Sequence, residues 1–186
     1  ELQARHLIIA LPVNSCLKLL IDNHDVPALP LADIPEARIA NVALGFTDRA
    51  DVPFGFGYLA PEQEQRFALG ALFSSQMFPG RAPEGHVLLE ALVGGRRHPE
   101  RIDCSDEELT EKVYKDLKEL IKLPEPPVFS RVLRPQYGIP QLEEGYSSLL
   151  AWRRQVHINH DNLHLCGFGW QGIGINDMHK QAWEMA

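Results

Sequence analysis

Proline and glycine divide this chain into short segments, and the shortness of these segments limits its fold more than any other feature. The 186 residues contain fourteen prolines and fourteen glycines, which argues against a simple helical bundle. The apolar runs between them are mostly of strand length and end at glycine, proline or charged residues. The strands predicted in this way cover residues 7–11, 40–46, 55–60, 69–73, 87–93, 128–133 and 163–166.

The clearest helix begins after Ser105. Acidic residues at 106–108 follow this serine, and they form a capping box with it and place favourable charge in the first turn. Apolar residues then recur at helical spacing up to Leu123, where the proline-rich segment 124–127 ends the helix. Further helices are predicted over residues 14–20, 145–158 and 176–186.

These elements predict an α+β fold. The strands between residues 40 and 93 should form a mostly antiparallel sheet that packs against the helix after Ser105. The fully apolar run 7–11 and the strand at 163–166 are expected to pair, so that each buries the other. The segment 73–86, between two of the predicted strands, is expected to be an irregular loop with a Pro79-Gly80 turn.

Composition and charge exclude several classes of protein. Hydrophobic residues make up 45% and charged residues 23% of the chain, which is the balance of a globular protein. The net charge of −7 argues against a nucleic-acid partner. No apolar run approaches the roughly 20 residues of a membrane span. We therefore expect a cytoplasmic protein, and we leave peripheral membrane contact and homodimer formation open.

The cysteines indicate free thiols. Cys16, Cys104 and Cys166 are far apart and form no CxxC pair, so that a thiolate zinc site is not predicted. Buried thiols in a reducing compartment are the preferred interpretation.

A glycine-rich segment follows the last predicted strand and precedes the last predicted helix. It runs from Cys166 to Asp177 and matches the pattern GxGxxG at Gly167, Gly169 and Gly172. Backbone N–H groups in such a segment can approach an anion at a helix N-terminus. A dinucleotide-binding unit also needs a second strand with an acidic residue about 20 residues later, and the chain offers none there. The segment predicts either a strand–loop–helix added to a larger sheet or a plain glycine-rich turn.

Two polar clusters could be functional sites, but each can also be explained as an ordinary surface segment. The histidines at 157, 160 and 164 lie near Asp161, but they fall where a helix gives way to a strand, so a surface turn is preferred and no metal is predicted. The segment Arg96–His98 follows two glycines. It is interpreted either as a binding site for substrate carboxylates or as a solvated loop.

Aromatic residues alternate with glycines near residue 55. In a strand, the side chains of Phe54, Phe56 and Tyr58 would share one face. Leu59 would then lie on the glycine face, where a flat group can approach the backbone closely. Aromatic residues in an ordinary core explain the pattern equally well.

Several segments, taken in order, are more specific together than any one of them alone. They are LIIALP at 7–12, GFGYLAP at 55–61, LFSSQMFPGRAP at 72–83, LVGG at 92–95, IPQ and EGY within 139–146, and the glycine-rich segment 167–177. In this order they resemble the C-terminal part of the protoporphyrinogen oxidase family. That family consists of FAD-dependent enzymes of haem synthesis within the flavin amine-oxidase superfamily.

The resemblance implies roles for particular residues. Gly172, Ile173, Gly174 and Ile175 would bind the cofactor FAD, the last three of them against the flavin ring, and Gly167 would lie near the FAD phosphates. Phe56, Leu59 and Leu92 would bind a porphyrinogen substrate. The flavin would oxidise the substrate and pass its electrons to oxygen, and the resemblance identifies no catalytic acid or base in this chain.

The resemblance also implies a division of the chain. Residues 1–20 and 136–186 would belong to an FAD-binding domain, and residues 21–135 to a substrate-binding domain. Nothing in the chain matches the family's N-terminal phosphate-binding segment. We therefore expect a C-terminal fragment that, alone, binds FAD poorly and is inactive.

Some residues differ from the family pattern. Phe168 stands where the family often has asparagine, Pro135 where it often has tryptophan, and Leu142 where it has tyrosine. These differences allow a divergent or inactive relative. The alternatives to an oxidase of protoporphyrinogen IX or coproporphyrinogen III are a related flavin amine oxidase or desaturase, and a non-catalytic module that binds a porphyrin or a partner.

Overall fold

The computed structural model describes residues 3–23 and 25–185. Its strands are β1 (Leu7–Ala10), β2 (Glu36–Ala37), β3 (Ile39–Thr47), β4 (Gly57–Leu59), β5 (Gly70–Leu72), β6 (His86–Gly94), β7 (Phe129–Leu133), β8 (Ile139–Pro140) and β9 (Leu163–Cys166). Its α-helices are α1 (Val13–Leu20), α2 (Ser74–Met77), α3 (Asp106–Lys118), α4 (Tyr146–Asn159) and α5 (Ile175–Glu184). Two short 3₁₀ helices cover Glu62–Glu64 and Pro99–Asp103.

These elements form two compact units. The first unit combines the described residues up to Glu36 with those from Ile139 onward, and the second unit is Ala37–Gly138. The short strands β2 and β8, which pair with each other, lie where the chain passes from one unit to the other. The assignment of these parts to a cofactor domain and a substrate domain stays a prediction.

The second unit is built on a five-stranded antiparallel sheet. The strand order is β4-β5-β6-β3-β7, and every neighbouring pair is antiparallel. Alternate residues of β3 and β6, such as Val42, Leu44 and Leu89, are buried in one core cluster with the apolar stripe of α3. The mixed, mostly antiparallel architecture predicted from the sequence is therefore confirmed.

Helix α3 begins as predicted. The Ser105 hydroxyl accepts a hydrogen bond from the Glu108 N–H at 3.2 Å, and the Glu108 carboxylate accepts one from the Ser105 N–H at 3.0 Å. This reciprocal capping box satisfies two backbone donors that a helix start leaves without partners. The helix ends at Lys118, five residues before the predicted end at Leu123.

The first unit joins two distant segments of sequence. Strands β1 and β9 pair in parallel, from Leu7 with Leu163 to Ala10 with Cys166, which confirms the predicted pairing. Helices α1 and α4 contribute Leu17, Leu149 and other residues to the core of this unit. The expected burial of β1 was wrong, because of its four residues Ile9 alone is buried.

Two other local expectations also need correction. The segment 73–86 is not wholly irregular, because Ser74–Met77 forms the short helix α2. The strand expected over residues 55–60 covers only Gly57–Leu59. Gly55 and Gly57 both have positive φ angles, of 154° and 138°, so the chain does not follow a regular strand through this region.

Candidate functional sites

The sheet of the second unit has a second face that is rich in leucine. Residues paired across strands share a face, and one row of such residues crosses the whole sheet as Leu59, Gly70, Leu92, Asn41 and Leu133. The adjacent row is Gly57, Leu72, Glu90, Ala43 and Arg131. We call the surface made by these two rows the leucine face.

Gly70 stands between Leu59 and Leu92 in the first row and is buried. A Cβ atom at this position would overlap the Tyr58 carbonyl oxygen and lie 3.2 Å from the Leu59 side chain. The glycine therefore lets Leu59 pack closely over β5, and Leu59 and Leu92 are two strands, or roughly 10 Å, apart. Leu59 is 83% exposed, so a flat molecule could reach it without any rearrangement.

The structure brings together two of the three predicted substrate residues. Leu59 and Leu92 lie in one row of the leucine face, as described. Phe56 precedes β4, and its side chain is exposed, while its carbonyl oxygen accepts a hydrogen bond from the Phe73 N–H at 2.8 Å. Leu72 was not predicted as a substrate residue. It follows the buried Ala71 in β5, and the alternation of faces along a strand is the signal that would have placed Leu72 on the opposite face.

The expected alternation of Phe54, Phe56 and Tyr58 on one strand face is wrong. Phe54 and Phe56 lie outside β4 and are strongly exposed, whereas Tyr58 packs against the core of the second unit. Burial raises the pKa of Tyr58 to about 12, with a further contribution from the negative charge of Asp116. The Tyr58 hydroxyl is buried and has no hydrogen-bond partner.

A mostly apolar cavity adjoins one edge of the leucine face. Its volume is about 500 Å³, and its lining includes Phe54, Tyr58, Leu59, Phe73 and Leu120. Arg66 and Glu64 provide charged groups in the lining. Leu59 is thus shared between this cavity and the leucine face.

Polar groups of the leucine face lie in both of its rows. The Glu90 carboxylate accepts a hydrogen bond from the Ser74 hydroxyl of α2. Arg131 is exposed, and the buried Oδ1 atom of Asn41 has no hydrogen-bond partner. A ligand on this face could therefore meet the Arg131 side chain, whereas the Asn41 oxygen is closed off from solvent.

The loop at Arg96–His98 is partly occupied by contacts within the protein. The Glu62 carboxylate accepts hydrogen bonds from Arg97 and His98, both at 3.1 Å. These bonds hold the pKa of Glu62 below its usual value. Two of the three residues considered for substrate carboxylates already bind a carboxylate of the protein itself.

In the first unit, the glycine-rich segment is a tightly packed loop between β9 and α5. Gly167, Gly169 and Gly172 have φ angles of 117°, 88° and 126°, a region that side chains rarely allow. A Cβ atom on Gly167 would lie 2.7 Å from the Leu11 carbonyl oxygen, and one on Gly169 would lie 2.8 Å from Val13. The glycines are therefore required by the fold of the loop itself.

Side chains from α4 and α5 hold this loop. The Tyr146 hydroxyl lies 3.0 Å from the Gly169 carbonyl oxygen and 2.8 Å from that of Trp170. The Gly167 N–H donates to the Gln181 side-chain oxygen at 3.2 Å. Because that N–H group is already bonded, Gly167 has no backbone donor left for a phosphate.

The end of the loop places the other predicted cofactor residues together. Gly172, Ile173, Gly174 and Ile175 lead into α5, and Ile175 is strongly exposed. The Asp177 carboxylate accepts a hydrogen bond from the Gly174 N–H at 2.9 Å. Gly174 has no side chain to cap the helix, so the first N–H groups of α5 remain available to an external acceptor.

The histidine cluster does not form a metal site. The His157 Nε2 atom accepts a hydrogen bond from the Leu165 N–H at 3.0 Å, which uses the single lone pair of that nitrogen. The ring of His164 stacks on that of His6, with 5.8 Å between centroids. Within residues 3–23 and 25–185, no group of three or more histidine, cysteine or acidic residues is arranged to hold a metal.

A family model for flavin containing amine oxidoreductase matches residues 1–178. This chain belongs to that family. The mitochondrial protoporphyrinogen oxidase of Nicotiana tabacum is 40% identical over 124 residues, which cover 65% of this chain and 25% of the relative. Protoporphyrinogen oxidase 1 of Spinacia oleracea is 29% identical over all of this chain and 35% of its own length. Coproporphyrinogen III oxidase of Bacillus subtilis is 26% identical over 95% of this chain and 38% of the relative.

Solved structures show the same fold. A crystal structure assigned as a protoporphyrinogen oxidase of Exiguobacterium sp. 255-15 has a TM-score of 0.79 and 23% identity, over 98% of this chain and 40% of that one. Reduced UDP-galactopyranose mutase has a TM-score of 0.68 and 16% identity, over 88% of this chain and 35% of that one. This chain therefore spans between a quarter and two fifths of the length of the proteins that it matches here.

A helix that spans a membrane needs sufficient length and apolar character. Among the described residues, no helix is both long enough and apolar enough to cross a bilayer. Some relatives are named as chloroplastic or mitochondrial enzymes. The cytoplasmic location expected from the sequence stays a prediction.

Proposed function

We propose that this chain forms the substrate-binding and flavin-contacting part of an FAD-dependent oxidase of a porphyrinogen, either protoporphyrinogen IX or coproporphyrinogen III. The observation that carries this proposal is the leucine face, with Leu59, Leu72 and Leu92 on the three neighbouring strands β4, β5 and β6. The names of the similar proteins supply the substrate class. Oxygen is the proposed electron acceptor.

The chemistry of the leucine face suits a tetrapyrrole. A porphyrinogen carries a large apolar macrocycle with carboxylate side chains at its periphery. Burial of exposed leucine against such a surface is favourable at about 25 cal/mol per Å². Arg131, at the end of the second row, is the proposed partner for a peripheral carboxylate.

The end of the glycine-rich loop suits a flavin ring. Ile173 and Ile175 supply exposed apolar contact, and the first N–H groups of α5 supply donors for ring oxygen or nitrogen atoms. The carboxylate of Asp177 partly offsets the positive end of the helix, so the site suits a neutral polar ring better than a free phosphate. Gly167 is proposed to lie beside the cofactor through its lack of a side chain, since its N–H is already bonded.

In this proposal the cofactor carries out the oxidation, and the protein binds and orients the substrate. The flavin, when bound, supplies the acceptor for the hydride removed from the porphyrinogen. The residues of this chain bind the macrocycle, fix its orientation and exclude water from its apolar surface. No side chain of the chain is proposed as a general acid or base.

The test of the substrate proposal is porphyrin binding to the whole chain. Protoporphyrin IX and coproporphyrin III are stable in air, and their binding can be followed by the shift of the Soret band. Leu59→Ala is expected to weaken binding about tenfold, since it removes a large part of one buried leucine. Leu72→Asp should weaken binding further, because it places a charge against the macrocycle.

A matched control accompanies these variants. Leu19 is an exposed leucine of α1 in the other unit, and Leu19→Ala is expected to bind both porphyrins as the parent chain does. Equal affinity of the parent chain, Leu59→Ala and Leu72→Asp would refute the leucine face as the substrate site.

The flavin proposal has a separate test. Ile175→Asp places a negative charge at the exposed start of α5 and is expected to weaken FAD binding, measured by the quenching of flavin fluorescence. Ile158→Asp is the matched control, because Ile158 is equally exposed on a helix of the same unit. Porphyrin binding that depends on the leucine face, without any flavin binding by this chain or by a longer form of it, would favour the non-catalytic binding module.

A further inference from the structure

A polar cavity lies in the first unit beside the glycine-rich loop, which contributes Gln171 to its lining. Its volume is about 420 Å³, and its lining also includes Arg153, Arg154, His157, His164, Gln181 and Glu184. These six side chains come from α4, β9 and α5, so three regular elements and the loop shape the cavity. Neither the flavin proposal nor the substrate proposal uses these groups.

Arg153 is a buried cation without a carboxylate partner. The residue is only 8% exposed, and among the described residues no ion pair joins it to an acidic side chain. Its Nε atom is buried without a hydrogen-bond partner. Its guanidinium carbon lies 5.7 Å from the centroid of the Trp170 ring, which offsets only part of the cost of burying the charge.

Gln181 offers a second unpaired donor. It is 3% exposed, and its Oε1 atom is committed to the Gly167 N–H at 3.2 Å. That bond fixes the orientation of the amide, because only the oxygen can accept from an N–H. The Nε2 group is therefore left as a buried donor with no partner.

His157 adds a third donor. Because its Nε2 atom accepts from the Leu165 N–H, the neutral ring must carry its proton on Nδ1. Burial, followed by the charge of Arg153 and the neighbouring His164, lowers the pKa of His157, so the ring is neutral at pH 7.

The cavity therefore offers a ligand mainly hydrogen-bond donors and few hydrogen-bond acceptors. Glu184 is the one carboxylate in its lining; its side chain is about half exposed and pairs with Lys180 at 3.9 Å. One negative charge at the edge disfavours a ligand with several negative charges but leaves room for one. A planar carboxylate matches both the fork of an arginine and the single charge that lacks a partner.

We propose that this cavity is a binding site for a carboxylate group, with Arg153 as its central ligand and Gln181 as a second donor. The carboxylate belongs either to a small organic acid or to an acidic side chain of a polypeptide. Binding gives the buried guanidinium a directly bonded counter-charge, whereas the Glu184 carboxylate acts on it without forming an ion pair.

The experiment uses the whole chain and two probes of the same chemistry. Butyrate represents a small organic acid, and acetyl-Gly-Glu-Gly-amide represents an acidic side chain. Binding is followed by tryptophan fluorescence, since Trp170 lies under Arg153, against sodium chloride at equal ionic strength. Saturable 1:1 binding of at least one probe is expected, and the tighter probe identifies the source of the carboxylate.

Variants test the assignment of the residues. Arg153→Gln is expected to weaken binding at least tenfold, and Arg153→Lys to weaken it less, because the charge remains but the fork is lost. Arg5→Gln, at an exposed arginine of the same unit, should bind as the parent chain does. Equal affinity of Arg153→Gln and the parent chain would overturn the proposal, as would inorganic phosphate that binds more tightly than both probes.

A measurement without substitution covers the case in which Arg153→Gln does not fold. The Nε–H resonance of Arg153 in the parent chain should shift on addition of the tighter probe, and the shift should saturate at the affinity seen by fluorescence. A resonance that stays in place at saturating probe would also overturn the proposal.

Discussion

The two units each bury a charged side chain, and they treat it in opposite ways. In the second unit, Asp116 is 8% exposed and accepts hydrogen bonds from the N–H groups of Phe67 and Ala68 at 3.1 and 3.3 Å. Arg66 lies 3.3 Å from the same carboxylate. In the first unit, Arg153 is equally buried but has no such partner. A buried charge that is fully paired serves the fold, whereas one that is unpaired indicates a ligand.

The largest effect is expected from removal of the paired carboxylate. Asp116→Ala leaves two backbone N–H groups without their acceptor and removes the buried carboxylate beside Arg66, which should cost about 3–5 kcal/mol of unfolding free energy. Urea unfolding followed by circular dichroism measures this change. Glu111→Ala on the same helix is the control, because its ion pair with Lys115 is exposed to solvent and should contribute little to stability. A loss as small as that of the control would remove the contrast between the units.

The partner of that carboxylate gives the next effect. Arg66→Met keeps much of the side-chain volume but leaves Asp116 with only its two N–H donors, and it removes the contact with Glu119 at 3.1 Å. A loss of about 3 kcal/mol in the same unfolding experiment is expected. Arg49→Met, at an exposed arginine paired with Glu125, should lose far less. Stability equal to the parent chain would mean that Asp116 does not need its counter-charge.

A smaller effect concerns pH and the surroundings of Arg153. His157 has a folded-state pKa below the unfolded value of 6.5, so the unfolded chain takes up its proton first as the pH falls. Stability is therefore lost below about pH 6.5 and until the lower folded value is reached. His157→Gln, which keeps an acceptor for the Leu165 N–H, should flatten the stability difference between pH 7.5 and pH 5. His160→Gln should leave that difference in place, and a curve unchanged in His157→Gln would contradict the assignment.

The smallest change in stability is expected from replacement of Arg153, the buried charge without an ion-pair partner. Arg153→Met removes a buried cation that has no ion-pair partner among the described residues, so the unfolding free energy should stay within about 1 kcal/mol of the parent value or rise. The same chemical change at Arg66 is predicted to be strongly destabilising. A large loss at Arg153 would show that the fold depends on its charge, and the carboxylate site would then lose its physical basis.

Local sequence patterns predicted many of the helices and strands, because these elements depend mainly on interactions between residues that are close in sequence. The capping box at Ser105 is a local interaction, and the apolar run 7–11 required a partner strand wherever it came from. The early end of α3 and the short strand β4 were missed, since they depend on tertiary packing and on glycines with positive φ angles. The leucine face was only half predicted, because cross-strand register, which places Leu72 beside Glu90, cannot be read from one strand at a time.

The unpaired cation was missed for a different reason. Arg153 and Arg154 are adjacent and look alike, yet one is buried and the other exposed. The buried residues of α4 are Leu149, Trp152, Arg153 and Val156, which is the spacing of a single helix face. Arg153 therefore occupies a position where an apolar residue is the rule, and that spacing was the available signal.

The parallel pairing of β1 with β9 also determines the order in which the protein can assemble. A ribosome makes Leu7 to Ala10 long before Leu163 to Cys166, so β1 lacks its partner β9 while the second unit is being made. The second unit is continuous in sequence and can fold during that interval. Its collapse shortens the span that must be closed, which lowers the entropy cost of joining the two strands. The edge of β1 that pairs with β9 therefore stays open during this interval, when aggregation or chaperone binding at that edge is most to be expected.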